Sequence, residues 1–270
     1  KQEDILQNHT HIFAEDIQLI VLDVDIIDPD LSEDLRFARA GQHFGSRIAI
    51  AADGSLFFGI GDRGEEDRAQ DPADHAGKIM RINADGSPSA ANPKGQPLAE
   101  VWSSGHRNPQ GLTIDPANNK LYTVEHGARG GDEINAPDAG NNYGWPVISH
   151  GQEYGTTTPV GEGSSQAGME QPVSYWEMID GSTWVSGNKS SIAPSGMAFY
   201  TGDRLPAWRG NLFVGSLKFR LLVRLELDGT RVVREERLLA ELSQRIRDVR
   251  QGPDGFGGLP SLRERSEGGR

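Results

Sequence analysis

The chain contains no cysteine, so no disulfide can brace it and no thiolate can hold a metal. Cations are outnumbered: 27 Lys and Arg stand against 39 Asp and Glu, and the net charge of −12 disfavours phosphate backbones and anionic lipid as partners. A small uncharged or cationic ligand suits that charge better. No apolar run approaches the roughly 20 residues of a bilayer span. The opening "KQEDILQNHT" lacks the charged-then-apolar pattern of a signal peptide, so the chain as it stands reads as soluble. Amphipathic helix is scarce, the best candidate being "DPDLSEDLRFARA" at 28–40, where Asp and Ser can cap a short turn.

Turn chemistry is plentiful. With 34 Gly and 15 Pro among 270 residues, the composition suits many short strands joined by tight turns, and the length fits one all-β domain. One pattern recurs: an alternating apolar segment, a turn, then a second apolar segment ending in Gly or an acid. It appears as "RIAIAADGSLFFGIGDRG" from Arg47, "GLTIDPANNKLYTVEHG" from Gly111, "GMAFYTGDRLPAWRGNLFVGSLK" from Gly196 and "RDVRQGPDGFGG" from Arg247. The Asp-Gly and Asn-Asn centres supply the positive φ that hairpins require. Further hairpin-like pieces, "GKIMRINADGSP" from Gly77 and "RLLVRLELDGTRVVREERLL" from Arg220, follow two of the copies. Two hairpins make a four-stranded sheet, and copies at irregular intervals suit the blades of a β-propeller with insertions between them. Residues 147–172, rich in Gly, Ser and Thr, read as a long surface loop.

In a propeller the innermost strands and the loops between blades converge on one end of a central channel, where residues far apart in sequence meet. Four polar constellations compete for that place. "GHRNPQGL" begins a repeat and holds Arg107, Asn108 and Gln110 on a stiff turn; the same side chains would serve equally to satisfy loop carbonyls. His43 stands before one strand and Asp62 at the end of its hairpin partner, so antiparallel pairing brings a carboxylate to an imidazole, as a general base requires. A His in that place is otherwise a surface or capping residue. His75, His106 and His126 lie in turn-like contexts, without HxH or HExxH spacing for zinc. "EHGARGGDEINAPDAGNNYGWP" mixes carboxylates, Asn and Gly, the hard oxygen donors calcium prefers, but lacks EF-hand spacing and also fits a solvated acidic loop. Lys218, with Arg245 and Arg247 two apart on one face of an expected strand, suits a polycarboxylate or phosphate, or else surface pairing with acids.

Taken in order, "QHFGSR", "GDRG", "GHRNPQGL", "EHGARGGDEIN", "NNYGWP", "IAPSGMAFYTGDR", "WRGNLFVGSLK" and "RIRDV" give the chain a resemblance, from Gln42 to Gly255, to the soluble pyrroloquinoline-quinone (PQQ)-dependent sugar dehydrogenases. The resemblance implies an all-β, six-bladed propeller of four-stranded antiparallel blades, one domain over 1–270 with divergent ends at 1–41 and 256–270. It implies that His43 takes the proton of a sugar's anomeric hydroxyl while hydride passes to the quinone, with Asp62 supporting it and Arg107 beside the reacting atoms. His43, Arg107, Asn108, Gln110, Ser191, Lys218, Arg245 and Arg247 would line the PQQ site. Backbone carbonyls of Gly127 and Ala128 would bind one calcium, and Glu133 with the backbone of Tyr143 a second. An aldose substrate, an external electron acceptor, a monomer or homodimer and a periplasmic or secreted location come with the family. A base beside a cation cluster favours the enzyme over a non-catalytic calcium-binding propeller that serves as a ligand- or protein-binding module. A calcium-dependent lactone hydrolase would not need the cations.

Overall fold

A computed structural model describes residues 42–176, 192–252 and 257–258. The expected helix at 28–40 lies outside the described residues. Among those described there is no α-helix, only 3₁₀ turns at Glu66–Ala69, Pro206–Trp208 and Ala240–Leu242.

Three four-stranded antiparallel sheets follow one another along the chain. The first holds β1 (Ile48–Ile50), β2 (Leu56–Ile60), β3 (Lys78–Ile82) and β4 (Val101–Ser104); the second β5 (Pro109–Asp115), β6 (Lys120–Glu125), β7 (Asp132–Asn135) and β8 (Ser174–Trp176). The third is β9 (Pro194–Phe199), β10 (Leu212–Ser216), β11 (Leu222–Asp228) and β12 (Arg231–Leu238), and a two-stranded ladder of β13 (Arg250–Gln251) and β14 (Gly257–Gly258) begins a fourth unit. Each sheet is a meander in which spatial order equals chain order, and the first strands β1, β5, β9 and β13 lie side by side in sequence. This is the architecture of propeller blades around an axis.

The hairpins sit where turn chemistry puts them. Gly54, Asn119 and Gly229 take positive φ at the β1–β2, β5–β6 and β11–β12 turns. "GKIMRINADGSP" is a correction: after β3 the chain turns, with Asn83 N–H donating to Ser87, but pairing dwindles to a lone Ile82–Pro88 bridge. Proline has no N–H to extend a ladder. The Asn92 amide donates instead to the Arg81 and Ala99 carbonyls, and the fourth strand waits until Val101. The loop at 147–172 is free of strands, as expected, apart from isolated bridges.

Sheets pack face to face. Ala49, Phe57 and Ile79 of the first meet Leu112 and Leu121 of the second. Tyr122, Val124 and Ile134 of the second meet Met197, Leu212, Val214 and Val223 of the third. Ile134, Leu212 and Val214 are fully buried, which contributes about 1.5–3 kcal/mol for each side chain. Where first strands approach, glycine is required: a Cβ at Gly45 would lie 2.3 Å from the Pro109 carbonyl, at Gly111 2.6 Å from the Ser195 carbonyl, and at Gly196 2.7 Å from the Asp248 Cα. The outermost strand β12 carries Arg231, Arg234, Glu235 and Glu236, charges that discourage pairing with another chain.

Below the first sheet Lys78 is 1% exposed, and its ammonium donates to the carbonyls of Arg68, Ala69 and Ala76 at 2.9–3.0 Å. Burial depresses its pKa to about 8, against the opposing pull of Asp74 and Asp71. Between that value and the ordinary 10.5 the unfolded chain binds a proton that the folded chain does not, so this lysine makes stability rise with pH across the window. Urea unfolding from pH 8 to 10.5 is expected to show that rise in the parent protein and a flatter profile in Lys78→Met.

Candidate active site

Pairing of β1 with β2 brings the chain before β1 against the chain after β2, and the expected meeting occurs: His43 Nδ1 is hydrogen-bonded to Asp62 Oδ1. His43 takes a left-handed φ of +60°, sparsely populated for a residue with a side chain, and the Arg63 guanidinium holds its carbonyl. The approach is close enough that a Cβ at Gly61 would lie 2.2 Å from that carbonyl. Asp62 is fully buried. Burial works against its ionisation, yet hydrogen bonds from His43, the Gly64 N–H and the Trp145 indole hold the carboxyl below its ordinary pKa. A buried, ionised carboxylate fixes the imidazole with Nδ1–H towards itself and leaves Nε2 as the acceptor.

His43 opens on a cleft of about 270 Å³ whose walls include Arg47, Asn108, Gln110, His126 and Arg247. Asn108 is positioned by its side chain, whose carbonyl accepts from Gly45 N–H and the Gln110 amide. His126 donates Nε2–H to the Pro194 carbonyl at 2.7 Å, and burial first, with nearby Arg107 and His43, keeps its imidazole neutral. Two guanidinium groups beside two amides and an imidazole form a set that fits a polycarboxylate such as PQQ.

Arg107 takes another direction. Its guanidinium donates to the carbonyls of His126 and Gly127, both at 3.0 Å, and lies 5.0 Å from the Trp145 ring centroid. It lines a smaller, one-water cavity of about 10 Å³ with Glu125, Gly127 and Glu133. Carbonyl dipoles and a ring face hold the cation there, outside the lining of the His43 cleft, and its buried Nε–H has no hydrogen-bond partner. Around it the acids are paired. Glu125 accepts from His106 Nδ1, the Arg107 N–H and the Asn135 amide; burial opposes its charge, but these partners hold it ionised. His106, expected in a turn, is wholly buried between Ser103 and Glu125 and stacks on Tyr143. Burial, then the charge of Glu125, pushes the Glu133 carboxyl up to about 8.

The oxygen set of this cavity, two carboxylates and the Gly127 carbonyl, suits a hard cation. Gly127 O faces Arg107, while Ala128 O accepts from Gln152 N–H at 2.7 Å. Neither lines the His43 cleft, and Tyr143, whose hydroxyl bonds Ala136 and Asp138, does not line the smaller cavity. Among the described residues no three His, Asp or Glu side chains group as a metal site.

The cationic constellation is only partly assembled. Arg247 reaches the cleft; Lys218 and Arg245 are exposed and do not line it. "RIRDV" is no strand but an extended segment with one bridge at Ile246, held by Ser195 Oγ and by Gly196 N–H, and Lys218 falls in the turn after β10. Ser191 lies outside the described residues. Sequence reading did not select Arg47, His126, Glu125 or Trp145 as site residues, although the last three stand inside motifs already singled out.

Among the described residues no helix is long and apolar enough to cross a membrane. The family model for glucose/sorbosone dehydrogenases matches residues 29–263. The chain is 42% identical over 220 residues to aldose sugar dehydrogenase YliI of Escherichia coli (strain K12), a match covering 80% of this chain and 56% of that protein. A crystal structure of glucose dehydrogenase superposes with a TM-score of 0.74 at 43% identity, over 82% of this chain and 62% of the other. The PQQ-bound form of aldose sugar dehydrogenase from Streptomyces coelicolor superposes with a TM-score of 0.59 at 32% identity, over 77% and 52%. The chain therefore spans roughly half to three fifths of the length of these relatives. Blades, motifs and matches agree: the chain belongs to the glucose/sorbosone dehydrogenase family.

Proposed function

We propose that the protein oxidises aldoses to lactones with PQQ and calcium, passing the electrons to an external acceptor. One observation carries this reading: His43, backed by the buried Asp62, opens on a cleft walled by Arg47, Asn108, Gln110 and Arg247. With Nδ1 committed to Asp62, His43 Nε2 takes the proton of the anomeric hydroxyl, and Asp62 stabilises the imidazolium that forms. Bound PQQ supplies the two-electron acceptor for the hydride that leaves C1 as the C1–O bond becomes a carbonyl.

Arg47 and Arg247 would offset the cofactor's carboxylates, and the amides of Asn108 and Gln110 would orient it; the family motifs assign Ser191, Lys218 and Arg245 to the same task, although Lys218 and Arg245 do not line the cleft in this structure. The carbonyls of Gly127 and Ala128 are assigned to one calcium and Glu133 with the Tyr143 backbone to a second, with Arg107 as the positive neighbour of the first. The aldose dehydrogenase relatives support the substrate class. We assign the whole of 1–270 to one propeller domain, periplasmic or secreted, acting as a monomer or homodimer.

Titrating the apo-protein with PQQ, with and without calcium, then adding glucose and an acceptor dye, is expected to give saturable, calcium-dependent binding and dye reduction that His43→Ala abolishes. Absence of binding under every condition rejects the dehydrogenase and leaves a binding-only propeller. Asp62→Asn is expected to retain PQQ binding but lower kcat by about 10²–10⁴, the scale seen when a base loses the carboxylate that sets its tautomer. Steady-state kinetics beside a PQQ binding curve checks it.

A further inference from the structure

We propose that Trp145 is a positioning residue: its indole locks the Asp62 carboxylate against His43 and couples that pair to Arg107. The inference rests on the acid–base reading of His43 above.

The geometry is specific. Asp62 Oδ1 receives His43 Nδ1 and the Gly64 N–H, while Oδ2 receives the Trp145 indole N–H at 2.7 Å. With donors on both oxygens the carboxylate cannot rotate away from the imidazole. The same ring lies beside the Arg107 guanidinium, 5.0 Å from centroid to carbon, so one side chain contacts both the acid behind the base and the cation on the Gly127 carbonyl.

Trp145 is itself fixed: it is 5% exposed, packs on Ala69, Ala128 and Val160, donates its backbone N–H to the Gly105 carbonyl, and its backbone carbonyl accepts from the Gln70 amide. It thus ties the loop between β7 and β8 to those after β2 and before β5. An indole that only filled space would serve as well without its N–H, yet here that N–H completes a buried carboxylate. The charged groups around Asp62 are His43, Arg63 and Glu66, with Arg107 across the ring.

Trp145→Phe keeps an aromatic face beside Arg107 and removes the donor. Carboxyl-¹³C NMR of Asp-labelled apo-protein is expected to show the Asp62 midpoint rising by about 0.5–1 pH unit in this variant, the effect of losing one hydrogen bond to the charged form. With PQQ, calcium and sugar, kcat is expected to fall about tenfold while KM stays within twofold. An Asp62 midpoint that does not move in the folded variant, or an unchanged kcat, overturns the proposal.

Should Trp145→Phe not fold, the indole ¹⁵N–¹H resonance of the parent protein decides: its shift must follow the Asp62 titration, and a shift indifferent to pH through that titration overturns the link. If the parent reduces no dye, the dehydrogenase reading fails, whereas the Asp62 and indole titrations still report separately whether Trp145 holds the carboxylate.

Discussion

The contact between neighbouring first strands, made backbone to backbone across a glycine, is the constraint from which the rest follows. At Gly45 against Pro109, Gly111 against Ser195 and Gly196 against Asp248 the space for a Cβ does not exist. Each sheet is thereby held against the next at its inner edge, while the apolar faces behind fill the wedge between them. Irregular chain leads into each of those strands, and much of the cleft's polar lining stands on that chain. His43, Asn108 and Arg247 all lie just before a first strand or beside one.

This arrangement concentrates charge where water is scarce. Asp62 and Glu125 are buried and Glu133 is half-buried, and each is treated differently by its surroundings. Three donors outweigh the desolvation of Asp62, and His106 with Asn135 does so for Glu125. Glu133 keeps one amide donor and faces another carboxylate, so its proton is retained to higher pH. Three carboxyls of similar chemistry acquire different protonation because their hydrogen-bond supply differs, the pattern expected where acid and base roles are divided.

Sequence reading carried the repeating hairpins and the His43–Asp62 pair because both depend on local rules: turn residues with positive φ, and antiparallel pairing that joins strand ends. It did not find β4 or β8, which follow the excursions at 83–100 and 136–173, where no hairpin turn announces the next strand. It also joined Arg245 and Lys218 to the cleft by treating their segments as inner strand; one is extended chain and the other a turn, so alternation along a sheet did not govern where their side chains lie. Arg107 was foreseen as a site residue, but its seat on the His126 and Gly127 carbonyls and the Trp145 ring was not. A guanidinium can satisfy itself on carbonyls or on a ring, and only the fold shows which carbonyls and which ring are near.

The meander order of the sheets bears on how the molecule becomes competent. Every strand pair within a sheet joins consecutive segments, so most pairings close over short stretches of chain, at a small loop-closure cost. The group of His43, Asp62, Trp145 and Arg107 belongs to no single sheet; it is drawn from the joins of two and from a loop that returns from the second to the first. A chain whose hairpins are complete still lacks a working centre until its blades have docked, so catalytic competence would trail secondary structure during refolding.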